Sequence, residues 1–438
     1  MKKYDSYKDS GIEWIGEIPS HWEVVPLKYL SDNFDSKRVP LNSAERAEMI
    51  GDYPYYGATG IVDYINNFIF DGEFVLIGED GAPFFIQGKD VAFIAEGKFW
   101  VNNHAHILQT NDKILSTIFC HQLNCVDYKG YITGSTRDKL TQDQLKSIKL
   151  LLPSKAEQNT IANYLDQKTT QIDDLIAKKE RLIQLLEEER TAIINHAVTK
   201  GLDTTVPMKD SGIEWLGEIP VHWEVKKLKY VKSTEKNAFV DGPFGSNLKT
   251  EHFIENGDVY VIDSGYITSG EFKIKRGFKT ISLEHFETVK RSECKARDII
   301  IAKIGANFGM SGILPELDKP SLVSGNTLKL TIDENYFDLE FIHLQLLNLK
   351  TSGEIDLLVK GSAQPALSMG VMSELPFVIP KNKEEQILVR EHIKTNHKRI
   401  DNLISKVSNE IELLKEYKTA LISEVVTGKV DVREEKLS

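Results

Sequence analysis

Cysteine is scarce in this sequence. Cys120, Cys125 and Cys294 are the only three in 438 residues. They are too few and too scattered for a disulfide framework or a zinc site, so free thiols in a reducing, cytoplasmic setting are expected and no metal is. Long apolar runs are missing as well. Ile299-Ile300-Ile301-Ala302 stops at Lys303, well short of the roughly 18 residues a membrane span needs. The lysines after Met1 are not followed by an apolar signal core, and no membrane partner is expected. Positive charge is in deficit: 54 Lys+Arg against 65 Asp+Glu leave a net −11, which argues against a general coat for nucleic acid. Catalytic signatures are also lacking. No phosphate-binding G-x-x-x-x-G-K-[ST] loop, H-E-x-x-H helix or G-x-S-x-G elbow occurs. There is no Asn/Asp-Pro-Pro-aromatic run of the kind that holds a flipped base. His104 and His106 have no acid or cysteine beside them in sequence to complete a metal site.

What is present is a chain with enough apolar residues, 41%, to build the cores of two or three domains. It is written twice. Residues 7–29 and 208–230 are identical at 18 of 23 positions at an offset of 201. Gly134-Ser135, Leu140 and Pro153 then match Gly361-Ser362, Leu367 and Pro380 at an offset of 227. Glu157-Gln158, Thr191-Ala192 and Val198-Thr199 match Glu385-Gln386, Thr419-Ala420 and Val426-Thr427 at 228. The chain is thus two half-units, each a globular block followed by a helix. The second block is about 26 residues longer, and its interior does not obviously match the first.

Gln158 to Thr199 contains no proline or glycine and carries an apolar stripe through Ile172, Leu175, Leu182, Leu186 and Ile193, with Ile176 and Ile183 widening the face. The second copy carries Ile400, Leu403, Val407, Leu414 and Leu421. Gly201 and Gly428 supply the stops. Rods of about 60 Å follow from roughly 40 residues at 1.5 Å each, and a pair of them can bury both stripes in a heptad seam.

Both blocks read as mixed α/β, with apolar strands at 74–77, 107–108, 259–262 and 299–301 and short helices at 116–126 and 338–349. Several polar, aromatic loops suit a binding face. In the first block they offer Tyr55, Tyr56, Gly57 and Thr59, then Asn102, Asn103, His104 and His106, then Ser135, Thr136, Arg137 and Lys139. In the second they offer Phe244, Ser246, Asn247 and Lys249, then Asn326 and Thr327, then Ser362 and Gln364. Amide side chains pair bidentately with adenine edges, and cations meet guanine or phosphate. Singly, each such loop also reads as an ordinary turn. Residues 226–303 hold 15 Lys+Arg and 11 Asp+Glu, a local basic excess on an acidic chain.

The doubled G-I-E-W-[IL]-G-E-I-P-x-H-W segment, the Glu-Gln helix starts and the doubled T-A-x-I…V-T helix ends resemble the specificity subunits of type I restriction–modification systems, over nearly the whole chain. The resemblance implies an α+β architecture with a pseudo-twofold internal repeat. It divides into a target recognition domain at 1–154, a spacer helix at 155–200, a linker and second recognition domain at 201–382, and a second spacer helix and tail at 383–438. It implies that the helices pair antiparallel as a coiled coil and that each block reads one half of a split, asymmetric site in double-stranded DNA. It further implies two modification subunits and the restriction subunits as partners. S-adenosylmethionine, ATP and Mg2+ would belong to those partners, and this chain would bind no cofactor and catalyse nothing. The competing expectation is a cytosolic tandem-domain scaffold that binds protein or another ligand without reading DNA.

Overall fold

The computed structural model describes residues 2–86, 88–132, 138–243, 245–305, 307–359 and 366–435. Two compact units form, and they do not follow chain order. Unit 1 is Met1–Arg181 with Lys406–Ser438, and unit 2 is Leu182–Ser405. Each unit therefore holds one globular block and a part of each long helix.

Among the described residues of unit 1, beyond an N-terminal hairpin of Tyr7–Asp9 and Glu17–Pro19, the block has ten strands: β1 (Glu23–Pro26), β2 (Ser31–Asn33), β3 (Ile50–Gly57), β4 (Gly60–Ile65), β5 (Phe70–Asp71), β6 (Phe74–Gly78), β7 (Ala92–Ala95), β8 (Lys98–Val101), β9 (Ala105–Thr110) and β10 (Lys149–Leu152). Helix α1 (Ser116–Cys125) follows β9. One sheet runs β4-β3-β8-β5, another β2-β9-β6-β7, and β1 pairs with β10. The all-apolar run of β6 is explained by its place inside the second sheet. Side chains alternate across a strand, so Val75 and Ile77 join one core and Phe74 and Leu76 another.

Unit 2 repeats this plan with α2 (Lys155–Lys200) entering it, then β11 (Trp223–Lys227), β12 (Phe239–Asp241), β13 (Val259–Ile262), β14 (Lys279–Ile281), β15 (Glu293–Cys294), β16 (Ile299–Ala302), β17 (Ser311–Ile313), β18 (Ser321–Val323), β19 (Thr327–Leu330), α3 (Leu339–Thr351), β20 (Pro376–Pro380) and α4 (Lys383–Val426). The sheets run β14-β13-β18-β15 and β12-β19-β16-β17, and β11 pairs with β20. Each of the ten strands β1 to β10 thus has a counterpart ten numbers later, including the parallel pair β3–β8 and its equivalent β13–β18. β16 splits its side chains as β6 does, Ile299 and Ile301 to one core and Ile300 and Ala302 to another. Block interiors that do not align by sequence share one topology.

The repeated ends are the mounting. Trp22 and Trp223 are fully buried. The glutamate that opens each long helix meets the tryptophan segment: Glu157 lies 3.0 Å from His21 Nε2, while Glu385 lies 3.0 Å from His222 and accepts from Trp223 Nε1 at 2.8 Å. The glutamine beside it staples the strand before the helix to the loop before α1 or α3. Gln158 accepts from Leu115 N and donates to Pro153 O, and Gln386 accepts from Asp338 N and donates to Pro380 O. The helix stops dock on the same segments. A Cβ on Gly201 would lie 3.2 Å from Trp223, and one on Gly428 2.4 Å from Pro19, both at positive φ. Lys200 donates to the Leu216 and Glu218 carbonyls, and Lys429 to those of Ile15 and Glu17. Identical residues recur because each unit closes a helix end onto a Trp-Pro anchor in the same way.

In each unit the long helices lie antiparallel. Asp173 pairs with Lys418 and Lys179 with Glu410 in unit 1; Arg190 pairs with Asp401 and Glu189 with Arg399 in unit 2. Of the expected seam residues, Ile172, Leu186, Ile400, Val407 and Leu421 are buried, and Ile193, Leu403 and Leu414 are half-buried. Leu175 and Leu182 are a correction: each is 42% exposed. The seam runs through Ile176 and Ile183 instead, one residue on, where about 100° of helix rotation separates neighbours. Among the described residues no helix is long and apolar enough to cross a membrane.

Candidate nucleic-acid interface

In the first block, four loops are drawn to one end of the sheets by backbone bonds. Glu79 N, just after β6, donates to His104 O at 2.8 Å, Leu140 N donates to Glu79 O at 2.8 Å, and Asn102 N donates to Tyr56 O at 3.0 Å. Gly57 and Gly78 permit the approach. A Cβ on Gly57 would come within 2.6 Å of Val62 and 3.4 Å of Asn102, and one on Gly78 within 3.0 Å of Ala58 O. Thr59 and Asn103 are exposed at this end, and Asn102, His104 and Lys139 present part of their side chains. Asn102 Oδ1 accepts from His104 N at 2.7 Å, and His104 Nδ1 lies 2.5 Å from Asp80.

Beneath these loops is a charge network. Asp35 lies 2.6 Å from His106 Nδ1 and accepts from Ile107 N and Gln142 at 2.9 Å. Arg38 donates to Glu79 at 2.6 Å and to Ala105 O at 2.8 Å, and Lys139 pairs with Glu79 at 3.0 Å. Burial opposes the charge on Asp35, but the His106 hydrogen bond and charge outweigh it and hold the carboxyl below its ordinary value. Burial opposes Glu79 likewise, and Arg38 and Lys139 outweigh it. Asp35, Glu79 and His106 place ligand atoms within 4.8 Å of one another. The donor set does not suit a cation: His106 Nε2 already faces Leu140 O at 2.8 Å, and Arg38 and Lys139 occupy Glu79. This network positions the loops.

The second block uses the same backbone scheme with different side chains. Lys303 N, just after β16, donates to Asn326 O at 2.9 Å, and Leu367 N donates to Lys303 O at 3.1 Å. Lys303 therefore stands where Glu79 stands in the first block, and Asn326 where His104 stands. Lys303 pairs with Asp241 at 3.2 Å, as does Arg291. Asn326 donates to Ser264 Oγ at 3.1 Å and accepts from Ser324. A Cβ on Gly242 would sit 2.1 Å from the Ser324 carbonyl group, so the 242–249 loop starts in contact with this cluster. Ser246, Asn247 and Lys249 are exposed on it. Its far end is held by α-helical Leu283–Val289, where His285 lies 2.9 Å from Asn247 O and stacks on His252 at 3.9 Å.

The structure corrects several sequence expectations. Tyr55 is buried, with its hydroxyl engaged by the Leu41 backbone. His106 is buried in the charge network, and the Thr327 hydroxyl is buried against Ser324 O. None of these three offers a side-chain edge to a ligand. Tyr56 is half-buried between Phe93 and Phe99, and Gly57 is a close-approach position. Ser135, Thr136, Arg137, Phe244, Ser362 and Gln364 lie outside the described residues. The sequence reading missed Arg38, Glu79, Asp80, Ser264 and Lys303. The apolar run of β6 leads into Glu79-Asp80 and that of β16 into Lys303, but charges at a strand end also read as a solvated turn.

The family of type I restriction modification DNA specificity domains matches the chain twice, over residues 19–185 and 220–419. The MjaVIII type I restriction enzyme specificity subunit of Methanocaldococcus jannaschii is 25% identical over 429 residues, 95% of this chain and 94% of that protein. A Haemophilus influenzae protein described as a type I restriction enzyme specificity subunit is 34% identical over 150 residues, and there the match spans 34% of this chain and only 38% of the relative. In fold, the chain is similar to the HsdS subunit from Thermoanaerobacter tengcongensis (TM-score 0.51, 11% identity, 94% of this chain and 98% of that one). It is also similar to a chain from a study of assembly and conformational transition in the type I system (TM-score 0.61, 10% identity, 94% and 99%). With its two matched domains, this chain belongs to the type I restriction–modification DNA specificity family.

Proposed function

We propose that this chain is the sequence-reading, non-catalytic subunit of a type I restriction–modification complex, each block reading one half of a bipartite asymmetric DNA site. The observation that carries this is the shared loop scheme with unlike side chains: Glu79 and His104 in one block occupy the places of Lys303 and Asn326 in the other. A common mount with different polar contents fits two different half-sequences. Thr59, Asn102, Asn103, His104 and Lys139 are the readers assigned to the first block, and Ser246, Asn247, Lys249 and Asn326 to the second. Two modification subunits, with S-adenosylmethionine, and restriction subunits, with ATP and Mg2+, complete the assembly in the cytoplasm. Exposed apolar residues flanking the seam, Leu175, Leu182, Leu185 and Leu413, support partner docking on the helices.

The test is methylome sequencing in cells carrying this gene with its partner genes. One split motif is expected. Asn102→Ala and Asn326→Ala should relax different halves of it, since a bidentate contact discriminates by about 1–3 kcal/mol. Absence of any motif, or relaxation of the same half by both, would overturn the reading.

A further inference from the structure

The matched topology exposes one large departure between the blocks. In the first, β3 returns into β4 through two residues, Ala58 and Thr59; in the second, β13 reaches β14 through residues 263–278. The connection is 14 residues longer, and with the shorter flanking strands the whole β13–β14 unit is 7 residues longer than β3–β4. The added segment forms a small hairpin, Ile267–Thr268 against Glu271–Phe272, and then a stretch, 273–279, with four cations and no carboxylate. In the first block the whole span from 47 to 88, which includes β3 to β6, contains no lysine or arginine.

The stretch joins the two groups of assigned readers. At one end Arg276 donates to both carboxylate oxygens of Asp263, at 3.0 and 2.7 Å, and the neighbouring Ser264 accepts from Asn326. At the other end Lys279 lies over the Phe253 ring at 5.1 Å, next to the loop carrying Asn247 and Lys249. Arg276 is thus a buttress. The lysines are exposed, and among the described residues Lys273 makes a surface ion pair to Glu271 and Lys275 a long contact to Thr268. Such contacts are worth little and yield to a stronger anion.

We propose that the 263–279 segment is a DNA-backbone grip in which Lys273, Lys275 and Lys279 take phosphates flanking the half-site of the second block. The inference rests on the reading of that block as a DNA-reading domain. Cations beside base-reading amides fix register without carrying sequence information, and the first block, lacking the insertion, has no equivalent grip.

The experiment compares the full chain with K273A/K275A/K279A, each assembled with its modification subunits, on duplex DNA carrying the methylated motif and on random duplex. Each lost phosphate contact should make the plot of log affinity against log salt shallower by about 0.9. The triple variant is therefore expected to lose roughly 2 to 3 units of slope on both DNAs and to methylate the same motif. The triple Lys→Arg variant should restore the slope. An unchanged slope, with the motif still methylated, overturns the grip while leaving the proposed function standing. So does a variant that keeps the slope but fails to retain its modification subunits, which would make the stretch a protein-docking surface. If the wild type methylates no motif, the proposed function itself fails.

Discussion

Asp35 is buried among a histidine, an arginine and two amide donors, and its carboxylate is the hub on which the loops of the first block hang. Its carboxyl is held below the ordinary value. A depressed carboxylate stabilises the fold above its unfolded value, about 4, and that contribution is lost as pH falls through the lower folded value. Asp35→Asn leaves His106 and Arg38 without their buried counter-charge, a change that typically costs about 3–5 kcal/mol. Urea unfolding at pH 7 should show that loss, and the difference between wild type and variant should shrink towards pH 3. A constant difference across that range would assign the cost to shape instead of charge. The thiols illustrate the opposite effect of burial: Cys120 and Cys294 are pushed up to about 12 and Cys125 to about 11, so their apolar surroundings make them packing groups.

The helices and strands show which elements a sequence reveals and where it stops. The apolar runs of β6, β9, β13 and β16 were legible because central strands are apolar on both faces. The shared order of ten strands was not, because pairing joins distant residues and short strands leave no aligned signal. On α2 the stripe was legible only to within one residue. Leu175-Ile176 and Leu182-Ile183 are apolar neighbours, and only the antiparallel partner decides which of each pair faces in. This yields a contrast. Leu186→Ala and Ile400→Ala should each cost about 2–5 kcal/mol, whereas Leu175→Ala and Leu182→Ala should stay within about 0.5 kcal/mol. Chemical denaturation of the four variants measures both, and equal losses would put the seam where the sequence pattern alone placed it. At the site, the asparagines and His104 were legible because amide-rich turns stand out. Arg38, Glu79 and Lys303 were not, since one charge at the end of a strand reads as a solvated turn until the backbone shows what it holds.

At the scale of the molecule, the net charge of −11 and the role in DNA reading are reconciled by where the cations sit: four lie between 273 and 279. The other molecular property is length. α2 has 46 residues and α4 has 44, each continuous from one compact unit into the other. If these helices set the distance between half-sites, the gap in the recognised sequence is written in helix turns. Seven residues span about 10.5 Å of helix, or about three base-pair steps at 3.4 Å. The ion pairs Lys179–Glu410 and Asp173–Lys418 fix which heptads face each other. Removing residues 176–182 from α2 together with 408–414 from α4 therefore shortens both helices while returning apolar positions to the seam. The methylated motif should keep both half-sequences and lose about three base pairs from the gap, as read by methylome sequencing. An active complex with the original gap would falsify the helices as the spacer. Shortening α2 alone breaks the heptad pairing, and is expected to abolish methylation without moving the half-sites closer.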